Sequence, residues 1–472
     1  MPASAARRLA ASLLRAIEAQ GARAGEWMQG DEPRRCSPRD RALAFELALG
    51  VLRHRTELDW IAQAAAGRPV RGLAPIARTA LRLGIYQLRY LDRVPAVAAV
   101  HESVELAKAA GTRAAGFVNA VLRRATALEA PLETLLAAET DPLRRREIRF
   151  SHPGWLLARW QRRWGEAAAE AIAAFDNEVP QPALRPYGPA LRDPEQAAQL
   201  WRELAAAGVV LAPGRLLTAA RRVHAGAITD AEPFLSGRVA LQDEASQLMA
   251  YLLLPGATGR ILDICAAPGG KTAILAALAP PSTRLLALDR SWPRATAMRE
   301  RLPPAVAVAV ADAERPLPVA GGWDRILVDA PCSGTGTLQR NPEIRWRLRP
   351  EDLERFAARQ TRILDQALAV LAPGGRLLYC VCSIEEEEGE QVVRGALASH
   401  ADLRLEDPAD LLQNLEATGW LIAGAAAQLA AGPLLEIRPG QFATEGFFAA
   451  VLTKAGARRS ASARPTPRSS AP

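Results

Sequence analysis

The chain has 472 residues, of which 49% are hydrophobic and 23% are charged. This length excludes a small single domain, and the balance of apolar and charged residues excludes a disordered chain. The formal net charge is +8, and the excess of positive charge lies in residues 1–145 and in the tail from residue 454. That distribution fits a nucleic acid as the partner, and a solvated surface rich in arginine through codon usage explains it equally well.

The first 145 residues predict an all-helical bundle. Apolar residues recur at helical spacing in segments 41–52, 76–90 and 98–110, and prolines and glycines separate these segments. No strand-like alternation interrupts them, so we expect a compact helical domain over residues 1–145.

Three features that are missing from the sequence predict the location of the protein and the absence of a metal site. Charged residues break up the first twenty residues, which therefore do not form a signal peptide. The five cysteines include no CxxC pair, which argues against a disulfide framework and against a metal site. The uncharged run 417–435 contains Gln428 and Pro433, so a membrane span is not expected. The sequence predicts a cytoplasmic protein without a metal ion.

Residues 146–240 predict a small α/β connector. One helix is expected over Trp155–Phe175, and a second over Glu195–Ala207, before strand-like pieces lead to Gln242. Trp155, Trp160 and Trp164 recur about once per helical turn. Core packing explains that stripe better than base stacking.

Residues 241–453 predict an α/β domain with a mostly parallel, Rossmann-like sheet, which is expected to have seven strands, six of which can be located. Short apolar runs alternate with helical stretches, as in βαβ units. The expected strands are Ile261–Cys265, Leu285–Asp289, Val306–Asp312, Arg325–Asp329, Arg376–Val381 and a closing strand at Gly446–Leu452. Residues 454–472 have little to bury and are expected to be disordered.

A cofactor site is expected where three of these strands end. Residues 261–271 read ILDICAAPGGK, a strand, a glycine-containing turn and the start of a helix. The turn matches neither a dinucleotide-binding motif nor a phosphate-binding loop, because its glycines are adjacent. Asp263, Asp289 and Asp312 close successive strands, and open α/β sheets bind ligands at those ends. Asp289 is spaced to accept hydrogen bonds from a ribose, and Asp312 from an adenine amino group.

Two thiols follow the next two strands. Cys332 lies in the sequence Asp-Ala-Pro-Cys after Asp329, and Cys382 precedes Ser383. Thiolate addition to C6 of a cytosine would make C5 nucleophilic, and Asp329 is placed to stabilise the ring during addition. The pair therefore predicts cytosine methylation. The residues alone leave open which thiol attacks.

These segments resemble the RsmB (Sun/Fmu) family of 16S ribosomal RNA cytosine-C5 methyltransferases, within the wider NOL1/NOP2/Sun superfamily. The likeness rests on LDICAAPGGKT, WDRILVDAPCSGTGTLQRNPEIRW, LAPGGRLLYCVCSIEEEEGE and EGFFAAVL, preceded by ALQDEASQLMAYLL. The front segments RDRALAFELALGVLRHRTELDW and AAGFVNAVLRR resemble the NusB-type helical domain of this subfamily. The resemblance implies a class I methyltransferase domain over residues 241–453, a connector over 146–240 and an RNA-binding NusB-like domain over 1–145.

The resemblance also implies the roles of individual residues. Cys382 would be the nucleophile, Cys332 would promote product release, and Asp329 would face both the cofactor and the target base. The S-adenosylmethionine site would comprise Cys265, Ala266, Ala267, Pro268, Gly269, Gly270, Lys271, Asp289, Asp312 and Asp329. The partner would be 16S rRNA, free or in an early small-subunit assembly intermediate, and the protein a monomer.

Two departures from the family pattern concern the nucleophile. Val381 stands where the family has threonine, and Cys380 adds a thiol on the same face of the strand as Cys382. Cys382 is still the expected nucleophile, because Cys380 should lie deeper in the strand. The connector matches the family only loosely, so its RNA contacts are not specified.

Two surrounding segments carry further predictions. The arginines of residues 340–349 surround Trp346 and predict a loop that contacts RNA with its base extruded. The acidic run Glu385–Glu388 predicts the start of a helix, where carboxylates complement the helix dipole.

Three other functions remain open from the sequence. They are cytosine methylation of transfer RNA or another RNA, a non-catalytic RNA-binding or ribosome-assembly role, and DNA cytosine methylation.

Overall fold

The computed structural model describes residues 3–128, 132–137, 139–254 and 259–456. Its contacts divide the chain into two compact units, which we call the helical unit and the sheet unit. The helical unit comprises Met1–Pro180, Ser333–Asp352 and Arg438–Gly446; the sheet unit comprises Gln181–Cys332, Leu353–Ile437 and Phe447–Pro472. The tail predicted to be disordered falls mostly on residues 457–472, which lie outside the described residues.

The helices of the described residues are numbered in chain order. They are α1 (Ala5–Gln20), α2 (Ala24–Trp27), α3 (Asp31–Arg34), α4 (Pro38–Arg53), α5 (Arg55–Ala66), α6 (Pro75–Tyr90), α7 (Ala96–Ala107), α8 (Thr112–Ala127), α9 (Leu132–Leu136), α10 (Pro142–Phe150), α11 (Gly154–Trp164), α12 (Glu166–Phe175), α13 (Pro194–Ala206), α14 (Glu232–Leu235), α15 (Glu244–Leu253), α16 (Gly270–Leu278), α17 (Trp292–Arg301), α18 (Ile344–Arg347), α19 (Pro350–Val370), α20 (Glu390–Ser399), α21 (Ala409–Ala417) and α22 (Ala425–Leu429).

The strands are numbered in the same way. They are β1 (Ala183–Pro186), β2 (Val210–Pro213), β3 (Arg221–Ala225), β4 (Val239–Leu241), β5 (Arg260–Ile264), β6 (Arg284–Asp289), β7 (Ala307–Val310), β8 (Trp323–Asp329), β9 (Leu371–Val381), β10 (Leu403–Glu406), β11 (Leu435–Ile437) and β12 (Phe447–Lys454).

The helical unit confirms the predicted bundle. The three predicted apolar segments lie in α4, α6 and α7, whose last turn continues as a 3-10 turn. Helix α4 begins where Ser37 Oγ accepts a hydrogen bond from Asp40 N at 3.1 Å, with Pro38 in the first turn. A Cβ at Gly50 would lie 1.9 Å from Tyr86, so the glycine lets α4 and α6 pack closely.

The single helix predicted over Trp155–Phe175 is wrong. The structure has two helices, α11 and α12, which are separated at Gly165. Gly165 has a φ of 83°, which an α-helix cannot continue and which other residues rarely adopt. Trp160 is buried and packs edge-on against His152, as core packing predicts, while Trp155 and Trp164 are half-buried.

The predicted connector contributes to both units. Strands β1 to β4 form an antiparallel sheet in the order β2-β3-β1-β4, and α13 matches the helix predicted over Glu195–Ala207. These elements belong to the sheet unit, whereas α11 and α12 belong to the helical unit. The three-domain division of the chain stays a prediction.

The main sheet is mostly parallel, as predicted. Its strand order is β10-β12-β9-β8-β5-β6-β7, in which β5 to β9 are parallel and β12 is antiparallel to its neighbours. The six strands located from the sequence correspond to β5 to β9 and β12; β10 and the short β11, which pairs with β12, were not located. The carboxyl ends of β5, β8 and β9 lie side by side, and they carry the predicted reacting residues.

The helix predicted to begin at Glu385–Glu388 begins later. Residues 385–388 form a turn, and α20 starts only at Glu390. The reason is that Glu388 is fully buried and bonded inward to Ser383, instead of facing solvent at a helix end.

Candidate active site

The turn after β5 has an unusual backbone conformation. Cys265 has a φ of 63°, the Ala267–Pro268 peptide is cis, and Gly269 has a φ of 95°. A Cβ at Gly269 would lie 2.8 Å from Cγ of Met298, so only glycine fits there. The turn therefore leads directly into the N-terminus of α16, where amide groups favour a negatively charged ligand group.

Asp289, at the end of β6, is tied to this turn. Its Oδ2 accepts a hydrogen bond from Ala267 N at 3.2 Å, and its Oδ1 accepts one from Ser291 N at 2.9 Å. The side chain is buried, and Arg294 lies 3.9 Å away. The structure thus brings Asp289 together with the predicted cofactor turn.

The other two strand-end acids differ from Asp289. Asp263 is buried, and Thr272 Oγ1 donates to its Oδ2 at 2.6 Å, while Oδ1 has no hydrogen-bond partner among the described residues. Burial raises the pKa of Asp263 to about 7, although the bond from Thr272 opposes that change. Asp312 lies two residues beyond β7, is exposed, and accepts a bond from Glu314 N.

Lys271 and Asp329 form an ion pair beside the thiols. Lys271 Nζ donates to Asp329 Oδ2 at 2.7 Å, and the ammonium lies 5.3 Å from the ring centre of Phe447. Burial is the largest single effect and lowers the pKa of Lys271, but the charge of Asp329, its hydrogen bond and the neighbouring thiols together outweigh burial, and the net pKa is raised. Lys271 therefore stays charged, and it holds Asp329 at the end of β8.

The structure brings the two predicted thiols together. Cys332 Sγ lies 3.3 Å from Cys382 Sγ, and both side chains are partly exposed. The hydrogen bond with Cys382 and burial both raise the pKa of Cys332. The Cys332 thiol is therefore harder to deprotonate than an ordinary cysteine.

The other cysteines lie elsewhere. Cys380 is fully buried, pairs with Asp329 across the β8–β9 ladder, and places its Sγ 3.6 Å from Asp329 Oδ1. Burial, followed by the charge of Asp329, raises the pKa of Cys380. Burial raises the pKa of Cys265 to about 12, and Cys36 belongs to the helical unit. The expectation that Cys380 lies deeper than Cys382 is thus met.

The RNA-contact prediction for the arginine-rich segment is wrong at Arg345. This side chain is fully buried and donates to Asn177 Oδ1 at 2.7 Å and to several backbone carbonyls of the helical unit. Trp346 is half-buried and donates to the carbonyl of Leu52 at 2.7 Å. Arg340 and Arg347 are exposed, but Arg340 pairs with Glu445 and Arg347 donates to the carbonyl of Gly21.

Three residues beside the thiols were not predicted. Gln360, Ser383 and Glu388 are fully buried and bonded to one another around the two cysteine loops. The position of Ser383 directly after Cys382 is a signal for one of them. Gln360 lies on α19 without any local motif, so its role depends on the tertiary fold.

The turn and its neighbours fit a nucleoside cofactor with a charged amino-acid end. The amides at the start of α16, the buried carboxylate of Asp289 and the unpartnered Oδ1 of Asp263 all lie at the carboxyl ends of adjacent strands. In the described parts of the chain, no group of His, Cys, Asp and Glu side chains could hold a metal ion. This fold and this site define the class I S-adenosylmethionine-dependent methyltransferases.

Comparison with known proteins narrows this class to a family. The family described as 16S rRNA methyltransferase RsmB/F matches residues 250–453, and the NusB family matches residues 4–127. "Probable ribosomal RNA small subunit methyltransferase B" of Bacillus subtilis is 32% identical over 89% of this chain and 92% of its own length. Ribosomal RNA small subunit methyltransferase B of Vibrio cholerae is 35% identical over 88% and 90%, respectively.

A solved structure supports the fold. The crystal structure of PH0851 aligns with a TM-score of 0.72 and 22% identity, covering 95% of this chain and 98% of that one.

The chain belongs to the RsmB/F family of 16S rRNA methyltransferases, with a NusB domain in front of the catalytic domain. It is an S-adenosylmethionine-dependent RNA methyltransferase.

Among the helices formed by the described residues, none is both long and apolar enough to cross a bilayer.

Proposed function

We propose that this protein methylates C5 of a cytosine in 16S rRNA through a covalent bond between Cys382 and C6 of the base. The observation that carries the proposal is the 3.3 Å separation of the Cys332 and Cys382 sulfurs, next to the Lys271–Asp329 pair. A close pair of thiols suits this chemistry, because one can attack the base and the other can assist its departure.

The first step is addition of the Cys382 thiolate to C6. A bond forms between Sγ and C6, and the electron pair of the C5–C6 double bond moves towards C5. S-adenosylmethionine, when bound, supplies a methyl group attached to a sulfonium, which is the electrophile that C5 needs. Cysteine suits the step, since a thiolate is both a good nucleophile and a good leaving group.

Asp329 would hold the target base during addition. Its side chain is 32% exposed and ends β8, one strand away from Cys382, so it has capacity to accept a further hydrogen bond. Lys271 stabilises its position by the 2.7 Å ion pair. The Asp329 carboxylate would accept a hydrogen bond from the amino group of cytosine, and the positive charge of Lys271 would offset the negative charge that develops on the ring during addition.

Cys332 would promote product release. After methyl transfer, a water molecule accepts the C5 proton, the electron pair of the C5–H bond re-forms the C5–C6 double bond, and Cys382 Sγ leaves C6 as a thiolate. The Cys332 sulfur lies 3.3 Å from the departing sulfur, close enough to donate a hydrogen bond to it. The raised pKa of Cys332 favours the protonated thiol that this bond needs.

The cofactor would lie against residues 265–271, with Asp289 holding its ribose. Asp329 would lie near its methyl group. Asp312 would reach its adenine only from an exposed position beyond β7. The buried Ala266 and Ala267 would pack against the ligand, and the N-terminus of α16 would bind its carboxylate.

The RNA partner is proposed to be 16S rRNA, free or in an early assembly intermediate, bound by a cytoplasmic monomer. The excess of positive charge in residues 1–145 supports RNA contact by the NusB-like domain. We keep the division into residues 1–145, 146–240, 241–453 and 454–472 as part of this proposal.

Bisulfite sequencing of total RNA from strains with and without the gene tests the proposal. One 16S cytosine should be protected in the parent strain and fully converted in the deletion strain, and the cloned gene should restore protection. Loss of protection in a transfer RNA instead would move the substrate. No difference in any RNA, with S-adenosylmethionine binding absent by calorimetry, would leave an RNA-binding assembly factor.

A further inference from the structure

The two thiols are carried by separate loops, so their spacing needs support from outside the cysteines. Cys332 follows β8 and Cys382 follows β9. The last residue pair of the β8–β9 ladder is Asp329 with Cys380, and both thiols lie beyond it. Strand pairing alone therefore does not fix the distance between the sulfurs. The two thiols and the side chains that bond to their loops all belong to the sheet unit.

Gln360 on α19 connects the Cys332 loop to a buried carboxylate. Its Nε2 donates to the carbonyl of Pro331, the residue before Cys332, at 3.1 Å, and to Glu388 Oε1 at 3.1 Å. Both partners can only accept, so the amide nitrogen must face them. Gln360 is fully buried, which makes loss of these bonds costly.

Glu388 connects the same carboxylate to the Cys382 loop. Ser383, the residue after Cys382, donates from Oγ to Glu388 Oε2, and Ser383 Oγ accepts from Glu385 N at 3.2 Å. Tyr379, in β9, donates to the carbonyl of Glu388 at 2.6 Å. The chain of bonds thus runs from Pro331 through Gln360, Glu388 and Ser383.

We propose that Gln360, Glu388 and Ser383 are positioning residues that hold the thiols of Cys332 and Cys382 within reach of each other. This bond network, the thiol clamp, acts at both loops through one buried carboxylate. Its three residues are fully buried and act through the two loops, so the thiol clamp sets how efficiently the Cys332 thiol assists release from Cys382. The catalytic consequence rests on the proposed function, but the spacing does not.

Direct cross-linking tests the spacing without any substrate. Diamide takes up the two thiol hydrogens as it oxidises a close thiol pair to a disulfide, and mass spectrometry identifies the Cys332–Cys382 link. Gln360→Met keeps the size of the side chain and removes both donors. We expect this variant to form the link at least about tenfold more slowly than the parent, since loss of a buried hydrogen-bond pair displaces the loop.

A matched control lies next on the same helix. Thr361 is exposed and bonds only to the carbonyl of Ala357 in its own helix, so Thr361→Val should cross-link at the parental rate. Ser383→Ala should slow cross-linking, and Ser383→Thr, which keeps the hydroxyl, should restore it. A folded Gln360→Met or Ser383→Ala protein that cross-links at the parental rate would overturn the thiol clamp.

Turnover gives the second readout. In Gln360→Met we expect a kcat roughly ten- to a hundredfold lower, unchanged KM for RNA, and an RNA–protein adduct that survives denaturing electrophoresis. Ser383→Thr should show neither the loss nor the adduct. Slow cross-linking with parental kcat and no adduct would overturn the release role. If the parent protein itself does not methylate RNA, the proposed function fails while the cross-linking result still decides the clamp.

Discussion

Lys271 in the sheet unit and Arg345 in the helical unit are both buried cations, but their partners differ. Lys271 pairs with Asp329, whose side chain is 32% exposed and can still accept a bond from a ligand. Arg345 is fully enclosed by Asn177 and backbone carbonyls, and its side chain reaches no solvent. Lys271, in the active site, therefore has a partner that a ligand can reach, whereas Arg345 bonds mostly to buried groups of the helical unit.

The same contrast separates the effects of burial. Desolvation is the largest single effect at Lys271, but the charge and hydrogen bond of Asp329, together with the neighbouring thiols, outweigh it and raise the pKa of Lys271. Desolvation dominates at Arg345 and lowers its pKa to about 10. The arginine is therefore held mainly by neutral oxygens, which is typical of a structural hydrogen-bonding role. Substitutions on the two sides should have different consequences.

The largest effect is expected at the accessible site. Cys382→Ala should lower methylation by at least about a thousandfold, equivalent to about 4 kcal/mol of transition-state stabilisation, because it removes the proposed nucleophile. Cys332→Ala should instead accumulate an RNA–protein adduct, visible by denaturing electrophoresis. Transfer of the radiolabelled methyl group measures the rate. Normal methylation by Cys382→Ala together with an inactive Cys380→Ala would make Cys380 the nucleophile.

Arg345→Met should lower the free energy of unfolding by about 3–5 kcal/mol, because it leaves several buried oxygens without donors. Denaturant unfolding measures this change. The control is Arg347→Met, which replaces an exposed arginine at the end of α18. This variant should have a free energy of unfolding within about 0.5 kcal/mol of the parent. The salt dependence of RNA binding should be unchanged in Arg345→Met. A weaker salt dependence with parental stability would mean that Arg345 contacts phosphate.

A smaller effect is expected on the pH dependence of the helical unit. Burial, and then the charge of Arg345, lower the pKa of His152 to about 4 despite its bond to Asp176. The folded state therefore favours neutral His152. Its contribution of up to about 3 kcal/mol is present above pH 6.5 and is lost as the pH falls towards 4.

Hydrogen exchange of α10 to α12 between pH 7 and 4 measures that contribution. His152→Gln should flatten the pH dependence, since glutamine does not titrate. The exposed His101 provides the control, and His101→Gln should leave the slope unchanged. A slope that persists in His152→Gln would assign the pH dependence to another group.

The smallest effect is expected at Cys380. Its thiol lies 3.6 Å from Asp329 Oδ1, which is a weak hydrogen bond, and its raised pKa keeps it protonated. Cys380→Ala should change kcat by less than about tenfold, measured under saturating RNA and cofactor. A larger loss with unchanged stability would show that the thiol is needed to orient Asp329.

Much of the fold was predictable because its signals are local. Apolar periodicity located α4, α6 and the strands of the sheet, and a glycine-containing turn located the start of α16. The same reasoning failed over Trp155–Phe175, where a single Gly165 with positive φ divides a continuous apolar pattern. It also missed β10 and β11, whose short segments carry too few residues to show alternation.

The sequence by itself determined which residue types carry the chemistry: two thiols, strand-end carboxylates and a glycine turn, each recognisable because its spacing along the chain is fixed. Only the tertiary structure decided how these residues are used. It enclosed Arg345 and joined Gln360 to Glu388. Burial and hydrogen bonding depend on which distant segments meet, and no local pattern along the chain contains that information.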